Sequence, residues 1–297
     1  GVFGGRMADV AERAGATVVK VERPWGEVFT VEDLRSVLAK ERPQVVGIVM
    51  AETSTGASQP IEEISQLVHE HDALLLVDAV TSLGGIPVEV DKWQIDAIYS
   101  GSQKCLSCPP GLAPVSFSAR AMEKIKARKT KVQSWYLDVS MLASYWGNDR
   151  VYHHTAPINM SYALYEALRL IHEEGMENCF ARHQKNHIAL RAGLEQLGVE
   201  YAAQEGHCLP MLNAVKIPQG IDDVQTRRDL LQRFGIEIGG GLGAFKGKVW
   251  RIGLMGYAAR SVNVLLFLSA LEQLLAEQGH VFQHGASIAA ANAVYLD

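Results

Sequence analysis

The sequence predicts an α/β protein, with a large domain on a mostly parallel sheet and a smaller C-terminal α+β domain. Three observations lead there. Residues 44–50 (QVVGIVM) and 73–77 (ALLLV) are apolar without alternation, as strands covered on both faces are. Segments with helical spacing separate such runs, which is the βα order of a parallel sheet. The 297 residues suffice for one large core and a second smaller one. The pattern changes between residues 175 and 200, so a large domain is expected over residues 1–180 and a small one over 181–297.

Residues 6–15 have the spacing of an amphipathic helix, and 16–21 (ATVVKV) read as a short strand before the turn Pro24-Trp25-Gly26. Residues 31–41 are helical, with Thr30 as N-cap and Glu32 and Asp33 in the first turn. After the strand at 44–50, Pro60 opens a helix over 61–71, where its missing N–H costs nothing. The strand at 73–77 ends in Asp78. Strands at 95–100 and 113–118 and a helix at 119–128 follow, and the aromatic-rich stretch 134–148 fits neither period. Long helices are expected at 161–174 and 181–197. Beyond Gly198, strands at 213–217, 236–238 and 248–252 combine with helices at 222–234 and 261–276, and the Ala-rich tail reads as helical.

Composition narrows the function classes. A net charge of −5 and a pI near 6.1 leave no basic face for a nucleic acid. No apolar run is long enough to cross a bilayer. Four cysteines in a chain this long are not a disulfide scaffold, which points to a reducing compartment and a cytoplasmic protein. The chain opens without an initiator Met and in mid-domain, so an N-terminal targeting signal would lie outside it.

The chemistry concentrates at two strand ends. Tyr99-Ser100-Gly101-Ser102-Gln103-Lys104 ends a strand in small residues followed by a Lys, on the side of a parallel sheet where ligands sit. A partly desolvated Lys there can act as a free amine and attack a carbonyl; read alone, it is equally a surface lysine. Asp78 is a carboxylate at the end of a fully apolar strand, costly there without a cationic partner. A protonated pyridine nitrogen would be such a partner and would make the ring an electron sink; read alone, Asp78 is equally a helix cap. The two stand 26 positions apart, with a single strand between them. That order, strand-end Asp, next strand, small residues and Lys, is the one used by fold-type I enzymes of pyridoxal phosphate.

Four ordered motifs make the resemblance specific: LVDAVTSLGG (76–85), SGSQK (100–104), YHHT (152–155) and KVWRIG (248–253). With them the chain resembles the class V aminotransferases, and most of all their alanine/serine–glyoxylate members, from Gly1 to about Gly279. The resemblance implies that Lys104 is the Schiff-base and proton-transfer lysine and that Asp78 pairs with the ring nitrogen of pyridoxal 5'-phosphate. It implies Gln103 at the phosphate end and Thr53 near the ring's 3-hydroxyl, where the family more often has Ser. Arg251 would bind the substrate carboxylate, for which its planar fork is suited. Tyr152 and Thr155 would reach the cofactor phosphate of a neighbouring subunit, Tyr152 also facing substrate, so a homodimer is implied. The family's glycine-rich phosphate loop and its ring-stacking aromatic residue are expected upstream of Gly1.

The ureidoglycine–glyoxylate branch resembles the chain at PWGEVFT (24–30), at GLMGY (253–257) and in its longer tail, but typically has Asn where this sequence has Tyr152. Tyr152 therefore favours alanine or serine as amino donor, with ureidoglycine as the alternative and a non-catalytic dimerising module as a third reading. Other signals are weaker. Cys105 and Cys108 have CxxC spacing, yet zinc needs two more ligands and a redox pair should open a helix, whereas Pro109-Pro110 follows. The neighbours His153 and His154 rarely share one ion, so no metal is expected. The run GGGLG (239–243) leads to a strand and not into a helix, which is the wrong context for a dinucleotide loop.

Overall fold

A computed structural model describes residues 1–296. Helix α1 (Val2–Arg13) precedes α2 (Val31–Glu41), whose start is a complete capping box: the Thr30 hydroxyl accepts from the Asp33 N–H and the Asp33 carboxylate accepts from the Thr30 N–H. Strand β1 (Val45–Val49) runs into a small hairpin, β2 (Ala51–Glu52) and β3 (Ala57–Ser58). Helix α3 (Glu62–Glu70), β4 (Leu74–Asp78), β5 (Ala97–Tyr99), β6 (Val115–Phe117) and α4 (Ala119–Lys126) follow. The sheet order is β1-β4-β5-β6, with the first two pairings parallel and the last antiparallel. Leu34, Leu38, Ile64, Leu67 and Val68 of α2 and α3 pack on Ile48, Leu75, Val77 and Ile98 to form its core.

Helices α5 (Val139–Trp146), α6 (Ile158–Glu174) and α7 (Met176–Gln196) lead to a three-stranded antiparallel sheet. Its strands are β7 (Leu212–Lys216), β8 (Gly239–Gly240) and β9 (Val249–Gly253), in the order β7-β9-β8. Helices α8 (Asp223–Phe234), α9 (Ser261–Glu277) and α10 (Ala286–Leu296) complete the fold. A second core forms around the fully buried Trp250, from Leu190, Leu194, Leu230, Leu268 and Leu271. Helix α7 joins the two regions: near its start the Cys179 thiol donates to the Gly84 carbonyl, and its far half lies in the second core. No described helix is long and apolar enough to cross a membrane.

At four places the structure departs from the reading of the sequence or adds to it. Residues 16–21 run without strand pairing among the described residues, because a strand is defined by a neighbour and their sequence supplies only the propensity. The hairpin β2–β3 is too short to show a period. In the small sheet Gly239 and Gly240 pair with β9, while the apolar Ile236 and Ile238 pack into the core without pairing. Residues 139–146, which fit no period, form α5, started by Asp138 accepting from the N–H groups of Ser140 and Met141.

Candidate active site

Parallel pairing of β4 and β5 sets Asp78 opposite Tyr99, so both strands end at one edge of the sheet. The turns that follow them touch. The Ala79 N–H donates to the Tyr99 carbonyl at 2.9 Å, and the Ser100 hydroxyl donates to the Ala79 carbonyl at 3.0 Å. A Cβ at Gly101 would come within 2.7 Å of the Gln103 side-chain oxygen, so the glycine lets that side chain fold back over its own loop. Beyond it, the Ser102 hydroxyl donates to the Pro109 carbonyl at 2.7 Å and the Cys108 N–H to the Ser102 carbonyl at 3.1 Å. Lys104, half-buried, sits in that closed loop. Its neighbour Cys105 donates to the Thr81 carbonyl at 3.2 Å, and burial pushes this thiol up to about 12.

Asp78 is 7% exposed. Its hydrogen-bond donors are neutral: the Val80 N–H at 2.9 Å and the Tyr99 phenol at 2.8 Å. Burial raises its pKa above the usual carboxylate range, and the charge of Glu52 pushes the same way; the two hydrogen bonds and the charge of Arg6 oppose them. Such a carboxylate fits a ligand that brings a protonated ring nitrogen. Thr53 is buried in the turn between β2 and β3, beside Glu52.

Arg251 lies on β9. Its Nε donates to the Gly240 carbonyl at 2.8 Å, which leaves the two terminal nitrogens as a fork for a carboxylate. Burial lowers its pKa from the ordinary arginine value, an effect the charge of Glu52 opposes. Glu52 thus acts electrostatically on both Asp78 and Arg251. The structure therefore gathers Asp78, Thr53 and the loop of Lys104 near one sheet edge, with Arg251 linked to them through Glu52. Gln103 is exposed on the Lys104 loop. Tyr152 and Thr155 are exposed and meet each other, their hydroxyls 3.3 Å apart, on the segment between α5 and α6.

Three further residues belong to this neighbourhood, and sequence reasoning gave them no role. Tyr99 bonds Asp78; the signal is its register, which two apolar strands of equal phase would have supplied. Glu52 holds the start of α1, its carboxylate accepting from the N–H groups of Phe3 and Gly4 at 3.1 Å each and from the Ser54 hydroxyl at 2.6 Å. Phe3 carries the guanidinium of Arg6 over its ring at 5.0 Å, and the charge of Arg6 bears on both Asp78 and Tyr99. Phe3 thus brings an aromatic residue to the backbone that Glu52 holds, with its ring against Arg6.

Comparison with known proteins identifies the family. A family profile described as aminotransferase class V matches residues 6–259. The alanine–glyoxylate aminotransferase of Callithrix jacchus is 43% identical, over 93% of this chain and 67% of its own length. The crystal structure of an alanine–glyoxylate aminotransferase from a Nostoc species superposes with a TM-score of 0.90 at 52% identity, covering 92% of this chain and 72% of that one. That of the ureidoglycine–glyoxylate aminotransferase from Bacillus subtilis gives a TM-score of 0.96 at 42% identity, covering 99% and 76%.

Proposed function

The chain belongs to the class V aminotransferase family and is a transaminase dependent on pyridoxal phosphate, and from that premise we propose that it transfers the amino group of alanine or serine to glyoxylate. Glyoxylate appears in the names of relatives from both branches, and Tyr152 favours the alanine/serine side. The observation that carries the assignment of the site is the contact between the turns after Asp78 and Tyr99, which sets a buried carboxylate with neutral donors beside the Lys104 loop.

When bound, the cofactor supplies an electron sink for the pair left on the substrate Cα after deprotonation. Asp78 keeps the ring nitrogen protonated, and Tyr99 and Val80 hold that carboxylate in place. Thr53 would hold the ring's hydroxyl side and Gln103 its phosphate end. Phe3 would supply the ring's aromatic cover; its backbone N–H is held by Glu52 and its ring carries Arg6, whose charge bears on Asp78. Lys104 would hold the cofactor and accept the Cα proton, and Arg251 would orient the donor by gripping its carboxylate with two parallel hydrogen bonds.

Tyr152 and Thr155 complete the phosphate site of a neighbouring subunit in a homodimer. Support comes from the surface they share. Tyr152 is 73% exposed, α5 has no buried residue, and α6 buries only Ala167 while presenting Tyr162, Tyr165, Leu168 and Leu170. The division into domains at residues 180 and 181 falls inside α7 and is supported by the two separate cores. Four free cysteines support a reducing, cytoplasmic location.

A second reading, ureidoglycine as amino donor, is favoured by similarity to the Bacillus subtilis ureidoglycine enzyme over 99% of the chain. The test is a panel of alanine, serine and ureidoglycine against glyoxylate with the full-length holoenzyme, alongside Lys104→Ala and Tyr152→Asn. The expected result is turnover with alanine or serine, loss of it and of the cofactor's visible band in Lys104→Ala, and a shift toward ureidoglycine in Tyr152→Asn. Turnover confined to ureidoglycine would overturn the choice of donor, and a Lys104→Ala protein with an unchanged band would overturn the site.

A further inference from the structure

The strap at residues 24–30 is pinned to both halves of the molecule by two glutamines. Gln59, in the large sheet region, accepts from the Phe29 N–H at 2.8 Å and donates to the Phe29 carbonyl at 2.9 Å. Gln204, next to β7, donates its N–H to the Gly26 carbonyl at 2.8 Å and accepts from the Val28 N–H at 3.2 Å. Gly26 has φ +97, and a Cβ there would come within 2.4 Å of the Ala202 carbonyl oxygen, so the strap is pressed against the small-domain backbone at a position suited to glycine.

Trp25 projects from this strap onto the glycine run beside β8. Its ring meets Phe245 edge-on, with centroids 5.4 Å apart. A Cβ on Gly243 would lie 2.3 Å from the Trp25 ring, and one on Gly241 would lie 1.9 Å from the Phe245 carbonyl oxygen. Gly243 therefore lets the indole lie directly on the run, and Gly241 lets the run close on the Phe245 backbone. The same run includes Gly240, whose carbonyl takes the Nε hydrogen of Arg251. Gly239 and Gly240 pair with Arg251 and Trp250 of β9.

From this chain of contacts we propose that Trp25 is a positioning residue for Arg251. The indole clamps the glycine run, the run fixes the Gly240 carbonyl, and the carbonyl sets the rotation of the guanidinium. The terminal nitrogens of Arg251 then meet a substrate carboxylate as a fork and not as a loose cation. The strap makes this a contribution to specificity: it favours amino donors and oxo acids that carry a carboxylate next to the reacting carbon. The inference rests on the carboxylate role of Arg251 stated above.

The experiment uses the full-length holoenzyme and the variants Trp25→Ala, Trp25→Phe and Arg251→Ala, plus the double variant Trp25→Ala/Arg251→Ala. Steady-state kinetics with alanine are set beside single-turnover rates with ethylamine, which lacks the carboxylate. The expected result for Trp25→Ala is a rise of about tenfold in the KM for alanine with kcat changed less than about threefold, and ethylamine unaffected. Trp25→Phe should recover most of the loss, and Trp25→Ala should add less than about twofold in the Arg251→Ala background. A Trp25→Ala defect equal for alanine and ethylamine, or undiminished in the Arg251→Ala background, would overturn the proposal while leaving the role of Arg251 intact. An unaltered KM for alanine in Arg251→Ala would overturn both. Gly243→Ala serves as a second probe if Trp25→Ala does not fold; its added methyl should displace the indole and raise the same KM, and an unchanged KM would count against the clamp.

Discussion

The phenol of Tyr99 donates to a carboxylate oxygen of Asp78 across 2.8 Å, and the two residues are register partners on neighbouring parallel strands. Laterally paired residues point to the same face of a sheet, so the bond follows from the pairing of two strands rather than from a flexible loop. It is one of two neutral donors holding the carboxylate, and it opposes the upward push that burial gives to the Asp78 pKa.

Removing the donor should therefore weaken Asp78 as an anion. Tyr99→Phe leaves the Val80 N–H alone, so the carboxyl protonates at higher pH and the acid limb of the kcat profile moves upward. A hydrogen bond to a charged group contributes roughly 1.5–3 kcal/mol, so on the acid side of the profile kcat should fall about tenfold or somewhat more. A pH–rate profile that coincides with that of the parent would show that the phenol does not tune Asp78.

Asp78→Asn should act with opposite signs on stability and on activity. A folded-state pKa raised above the unfolded one favours folding fully only below the unfolded pKa, and the advantage disappears as pH rises through the folded pKa. The Asp78 shift is upward. Without cofactor, Asp78→Asn should thus be more stable than the parent at pH 8, by on the order of 1 kcal/mol, and no more stable below the unfolded carboxyl pKa. With cofactor bound, the variant should lose kcat by about three orders of magnitude, because Asn cannot keep the ring nitrogen charged. Thermal melts of apo and loaded protein at two pH values check both signs.

How much of this was legible beforehand depends on range. Asp78 and Lys104 stand out because an apolar strand terminates in a charge and small residues precede a Lys. The capping box at Thr30 and the start of α8 at Asp222 are local, and the side chains that cap them lie in the same few residues. Glu52 escaped because its partners, Phe3 and Gly4, lie 49 and 48 residues away and are backbone groups, which carry no sequence signal. The pairing of Gly239 and Gly240 escaped because glycine has low strand propensity; what favours it there is the close approach of Arg251, since a Cβ on Gly239 would meet its guanidinium at 3.1 Å. The roles given to Tyr152 and Thr155 rest on resemblance alone, because on their exposed segment the hydroxyls meet only each other.

Glu52 offers a test of how α1 is held. Its carboxylate serves two N–H groups of α1 as well as the N–H and hydroxyl of Ser54. Glu52→Gln keeps the shape but puts an NH2 group against donors, leaving at least one of them unsatisfied. The expected loss is about 2 kcal/mol, or a fall of roughly 4 °C in Tm. Amide exchange should quicken first at Phe3 and Gly4; uniform quickening across the chain would mean that Glu52 supports the whole fold and not this helix start.

The exposed faces of α5 and α6 give the last prediction. Tyr162 and Tyr165 are 72% and 70% exposed on a helix with a single buried residue, and they lie within ten and thirteen residues of Tyr152. If a second subunit covers this surface, Tyr162→Glu/Tyr165→Glu should bury two charges at the contact and shift the protein toward monomer, visible by sedimentation at micromolar concentration. Because Tyr152 and Thr155 are assigned to the neighbouring subunit's phosphate site, the same variant should also lose cofactor affinity by about tenfold or more, although neither tyrosine is proposed to touch the cofactor. Added protein should restore part of that affinity by mass action. A stable dimer with these two glutamates would place the interface elsewhere, and a monomer with undiminished affinity would remove Tyr152 and Thr155 from the site.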